Sequence, residues 1–252
     1  MKWYLLYKRS KNIIQITLII NVLQIYAQSS FSQYQRDSAI TKAQHYIQQN
    51  IDNQSLYYYI VPIIEPLNRY YHLGLTPAAS YIKQYPVSEQ NLILLFENLI
   101  PHQAKKPLKI PEEASLSSID MALLYSLYGQ KVYSRQTYLK NLDSLIQWGG
   151  YDLTHAYFSL LLINNTHFLP KKLQNLKLQQ TKSLILDMLP DTQGLYSDLD
   201  VEVIALLLYG GEVLSDRYIR RLIEQQGPEG DFKVFYDDNT VNQTMTDHKT
   251  VL

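Results

Sequence analysis

The chain has no cysteine among its 252 residues. That excludes disulfides, a thiolate nucleophile and every cysteine-ligated metal centre. It also lacks a charge excess of either sign: Lys+Arg and Asp+Glu both number 23. Without a basic field there is nothing to draw in nucleic acid, and no nucleic-acid-binding motif is present. Tryptophan is scarce, with 2 residues, whereas tyrosine reaches 22. Strand-like alternation is missing throughout. So are a nucleotide-binding glycine loop, a zincin motif, a calcium loop and a nucleophile elbow. No cofactor and no metal site is expected on these grounds.

What is there begins at the N-terminus. Lys2, Lys8, Arg9 and Lys11 precede a mostly apolar run from Ile13 to Tyr26. Ala27 and the polar Gln28-Ser29-Ser30 follow. This is the layout of a secretory signal peptide, expected over residues 1–27. The run is short for a membrane span, which needs about 20 apolar residues. The expected location is therefore secreted or periplasmic. Membrane attachment would come only through an uncleaved signal segment.

An N-terminal helical region is expected over 28–100, opening with a helix at Ser38–Asn50 that has Ile40, Ala43 and Ile47 on one face. Residues 101–114, with three prolines and three lysines, read as a linker. From 115 to 252, helices of two kinds alternate. Ile119–Tyr128, Thr154–Ile163 and Leu199–Tyr209 are apolar almost all round, whereas Ser134–Trp148, Lys171–Leu189 and Ser215–Gln226 are amphipathic. A helix apolar on every side is buried on every side, and an amphipathic one keeps a wet face. The alternation predicts an inner and an outer layer of antiparallel helical hairpins, repeating every 35–45 residues. Glycine–aromatic turns such as Gly149-Gly150-Tyr151 and Gly194-Leu195-Tyr196 introduce the inner helices. Thr246–Leu252 reads as one turn of a further inner helix, so the hairpin region is expected to be truncated at its C-terminus.

Two passages carry a resemblance to the αα-toroid superfamily, which includes terpenoid cyclases and protein prenyltransferase β-subunits. Gln226-Gly227-Pro228-Glu229-Gly230-Asp231-Phe232 is similar to the glutamine–tryptophan motif of triterpene cyclases, with Phe232 in place of tryptophan. In that family the motif is structural and ties helix ends together. Asp198-Leu199-Asp200-Val201 is similar to the Asp-x-Asp-Asp motif of class II terpene cyclases, with Val201 in place of the last aspartate. The resemblance implies that Asp200 would be the proton donor. It also implies an all-α fold in which antiparallel hairpins form a partial or incomplete toroid.

In such a fold the inner-helix starts share one mouth, where acidic and histidine residues cluster. The candidate catalytic residues are Asp200, Glu202 and His155. Asp152, Asp198, Asp247, His248 and Tyr196 are the candidate ligand-binding residues. Asp residues just ahead of a helix are equally explained as caps. Glu202 and His155 lie inside apolar stretches, where an unpaired carboxylate is costly, so capping explains them least. The functional expectation is an exported helical-repeat scaffold that binds a small molecule, a glycan or a protein. The alternatives are a carboxylate-dependent enzyme acting on a glycan and a cyclase-like acid catalyst.

Overall fold

A computed structural model describes residues 33–52, 68, 73–75, 117–163, 167–191, 193–194 and 196–231. The expected signal segment, the linker at 101–114 and the turn at Thr246–Leu252 lie outside the described residues. Within them the protein is all-α, with α1 (Gln33–Asp52), α2 (Ser118–Tyr128), α3 (Arg135–Trp148), α4 (Gly150–Ile163), α5 (Lys171–Asp187), α6 (Asp198–Tyr209) and α7 (Asp216–Gln225). No described helix is long and apolar enough to cross a membrane.

Serines start several of these helices. Ser117 accepts from the backbone N–H of Asp120, and Asp120 accepts from the N–H of Ser117, closing a capping box on α2. Ser197 and Asp200 build the same box on α6. Each box satisfies donors that the first helical turn leaves without intrahelical partners. Ser134 caps α3 through the N–H of Thr137. The start of α4 is different. Gly149 and Gly150 have φ of 73° and 51°, a region costly for residues with a Cβ. The N–H of Leu153 reaches back to the carbonyl of Gly149. The helix therefore begins at Gly150 rather than at Thr154 as the apolar run predicts. Tyr151 and Asp152 are thereby drawn onto its first turn.

Pairs of contacts give the helix directions. Asn141 donates to the carbonyl of Ser118, and Tyr138 stacks on Tyr125 with ring centroids 4.2 Å apart. As one number rises the other falls, so α2 and α3 run antiparallel. Between α4 and α6 the numbers rise together. Tyr151 meets Asp198, Thr154 meets Glu202, and the Tyr157 hydroxyl presses on Gly210. These two helices are parallel neighbours. α4 packs against α2, α3, α5 and α6, and α5 packs against α6. α2, α4 and α6 thus form one layer of neighbours, with α3 and α5 packed along it in a second.

Two apolar clusters fill this arrangement. The first joins α2, α3 and α4 through Tyr125, Tyr138, Leu142, Ala156 and Leu160. Inside it the hydroxyls of Ser126, Ser159 and Tyr138 bond to one another, so these buried polar atoms have partners. The second cluster joins α1, α6 and α7 with Leu153, Tyr157 and Ile185. Ala39, Ala43, Ile47 and Ile51, spaced by four, put one face of α1 into it. Ile146 and Leu178 touch both clusters.

The Gln226–Asp231 turn holds α1 in place. Gln226 Nε2 donates to the carbonyl of Ala39 at 2.9 Å. Gly227 and Asp231 close the turn by a 2.7 Å backbone bond. Gly230 has φ of 88° and lies so close to the carbonyl of Lys42 that a Cβ there would collide with it. The segment joins the C-terminal end of α7 to the middle of α1. Phe232 lies outside the described residues.

One helix departs from its expected polarity. The core-facing side of α5 includes Gln174 and Thr181, both buried, whereas Leu176, Leu184 and Leu186 are exposed.

Candidate functional site

The first two turns of α4 and α6 lie side by side. On α4, Tyr151, Thr154 and His155 follow one another at i, i+3 and i+4 and so share a face. On α6, Asp198 and Glu202 do the same at i and i+4. The two faces meet along the seam.

The Tyr151 hydroxyl donates to Oδ2 of Asp198 at 2.6 Å. Asp198 is only 5% exposed, so this bond is part of what makes its burial tolerable. The Thr154 hydroxyl donates to Oε1 of Glu202. That hydroxyl also lies 2.8 Å from the carbonyl of Tyr151, but it has one proton to give. The carbonyl has a second suitor: Nδ1 of His155 lies 2.6 Å from it. A carbonyl only accepts, so Nδ1 carries the hydrogen. In the neutral imidazole Nε2 then carries the lone pair. The same Nδ1 is 3.6 Å from Oε1 of Glu202, a close electrostatic approach outside hydrogen-bonding distance. The His155 and Glu202 side chains are 31% and 16% exposed, so solvent reaches both.

This geometry brings three of the candidates, His155, Glu202 and Asp198, to the α4–α6 seam. Asp152 occupies the first turn of α4. The remaining candidates are placed elsewhere. Asp200 Oδ2 accepts from both the N–H and the hydroxyl of Ser197, each at 2.7 Å. The residue that resemblance suggests as a proton donor is held in a helix cap. Asp198, which a capping role would explain, instead crosses to α4. The two aspartates exchange the roles that the sequence suggests, because the N-cap is Ser197 and its box partner stands three residues on.

Tyr196 is 2% exposed and belongs to the core cluster. Its ring stacks near Tyr218, and burial pushes its phenol up to about 12. It stands inside the core rather than at an open face. Asp247 and His248 lie outside the described residues. Among those residues no three His, Asp or Glu side chains could hold a metal ion together.

Tyr151 and Thr154 complete the constellation, and neither is an acid or a histidine. The signal was present in their spacing to His155 on one helix face. It becomes visible only once the helix is known to start at Gly150.

Val203 to Leu208 are all buried, six residues in succession, so α6 is covered on every side over that stretch.

No protein-family model matches the chain, nor does any curated protein or any solved structure.

Proposed function

We propose that the protein is a binding scaffold built on a partial αα-toroid. Its ligand site is the mouth formed by the first two turns of α4 and α6, and its ligand is a hydroxyl-rich molecule of the glycan class. One observation carries this reading: His155 and Glu202, from different helices, approach to 3.6 Å in a position that solvent reaches. The Glu202 carboxylate and the lone pair on Nε2 of the neighbouring imidazole offer hydrogen-bond acceptors to sugar hydroxyls. Thr154 and the Tyr151 carbonyl fix both side chains in advance, which lowers the ordering cost of binding. The basic and apolar N-terminal segment supports export, where extracellular glycans are met.

The reading is tested by thermal shift with a panel of soluble neutral oligosaccharides on the wild-type chain, His155→Ala and Glu202→Gln. A saturable stabilisation that both substitutions abolish is expected. Stabilisation that survives both would place the ligand elsewhere.

A second reading, an enzyme acting on a glycan, is favoured by the fixed imidazole tautomer. With Nδ1–H on the Tyr151 carbonyl, Nε2 is the nitrogen left for proton exchange. Turnover of chromogenic glycosides that disappears in Glu202→Gln, with folding retained, would favour it over simple binding.

A further inference from the structure

α5 keeps two polar residues, Gln174 and Thr181, on its core side and turns two leucines, Leu176 and Leu184, outward. Its core side is Gln174, Leu178, Thr181 and Ile185, whereas Leu176 is 53% and Leu184 is 42% exposed. At 100° per residue Leu176, Gln180 and Leu184 form one stripe, roughly 140° around the helix from the centre of the core-facing side. Both leucines stand on the wet side of the helix.

The stripe is symmetric about Gln180. Leu176 and Leu184 lie four residues to either side, about 6 Å along the axis in each direction. Beyond them the charges are opposite: Lys172 is about 12 Å on one side and Asp187 about 10 Å on the other. A face that is apolar at mirrored positions and oppositely charged at its two ends is complementary to itself when turned end for end. We propose that this face of α5 docks on α5 of a second copy of the chain, antiparallel and about a two-fold axis through Gln180. Leu176 then meets Leu184 of the partner, and Leu184 meets the partner's Leu176. Lys172 faces Asp187 of the partner, and the two Gln180 amides meet at the axis. This is an isologous interface, in which each contact occurs twice.

Two neighbouring lysines on α5 are held by carboxylates of other segments. Lys177 is paired with Asp143, and Lys182 with Glu212, each at 2.6 Å. One helix from each copy makes a small interface, at the low end of those that hold specific complexes. The dimer is accordingly concentration-dependent, and it is independent of the ligand reading above.

Sedimentation velocity of the purified chain, from micromolar to millimolar concentration, tests the proposal. A monomer–dimer equilibrium is expected, and Leu176→Glu with Leu184→Glu leaves a folded monomer across the whole range. Lys172→Asp alone weakens association about tenfold, and adding Asp187→Lys restores it. Because the chain has no cysteine, Gln180→Cys introduces a single thiol, which oxidises to a covalent dimer across the axis. Gln179→Cys, turned 100° away, does so far more slowly. A chain that stays monomeric throughout, a dimer unaffected by the leucine substitutions, or equal cross-linking of the two cysteine variants would overturn the proposal.

Discussion

His155 and Glu202 lie on different helices, yet Nδ1 of one is 3.6 Å from Oε1 of the other. Neither depends on the other for its position. The Tyr151 carbonyl orients the imidazole and the Thr154 hydroxyl holds the carboxylate. Both anchors belong to α4, so the α4–α6 seam and the site are one structure.

The bond between Thr154 and Glu202 can be tested by substitution. Thr154→Val keeps the shape of the side chain but removes the donor to a carboxylate that is mostly buried. A loss of about 1–3 kcal/mol in unfolding free energy is expected from denaturant titration. In Thr154→Val with Glu202→Gln the loss should be smaller than the sum of the single effects, because the two groups interact directly. Strict additivity would mean that the bond between them contributes nothing.

The hold of the C-terminal turn on α1 gives a second expectation. Gln226→Ala removes one hydrogen bond and should cost about 1 kcal/mol. Gly230→Val should cost more, since it adds a collision with the Lys42 carbonyl to a strained φ. Limited proteolysis should cut α1 faster in the glycine variant than in wild type. Equal cleavage rates would show that the core face of α1 holds without the turn.

Tyrosine burial sets the alkaline limit. Tyr138, Tyr157 and Tyr196 each have the phenol pushed up to about 12, with burial as the leading cause. Their unfolded value is near 10, so the folded state disfavours the phenolate. The stabilisation is fully present below pH 10 and is lost as pH rises from 10 toward 12. Absorbance near 295 nm should show a late class of tyrosines whose ionisation coincides with loss of helical circular dichroism. Titration of all tyrosines near 10 in a folded protein would contradict this.

How much of this was legible beforehand depended on the kind of signal. The alternation of all-apolar and amphipathic segments was readable because burial on every side leaves no room for polar residues in Ile204–Leu208. The capping role of Asp200 was also written in the sequence, as a Ser-x-x-Asp spacing at Ser197. The resemblance to a cyclase motif points instead to its acidity. Tyr196 looked like a contact residue beside a turn, but nothing local reveals that Tyr218 from α7 closes over it. Nor can a single helix disclose the Tyr151–Asp198 and Thr154–Glu202 pairs. They arise from the parallel register of two helices joined through α5. The outward leucines of α5 satisfy a helical period equally well on either face, so only the packed structure reveals their direction.

The central claim is that the mouth at His155 and Glu202 is the binding site. The most direct measurement follows the imidazole resonances of His155 and the amide resonances of 151–155 and 198–202 by nuclear magnetic resonance. Neutral oligosaccharides would be titrated into the labelled chain. Saturable shifts confined to these two segments, and absent in Glu202→Gln, are predicted. Saturable shifts elsewhere with these segments silent, or no shift with any oligosaccharide, would contradict the account.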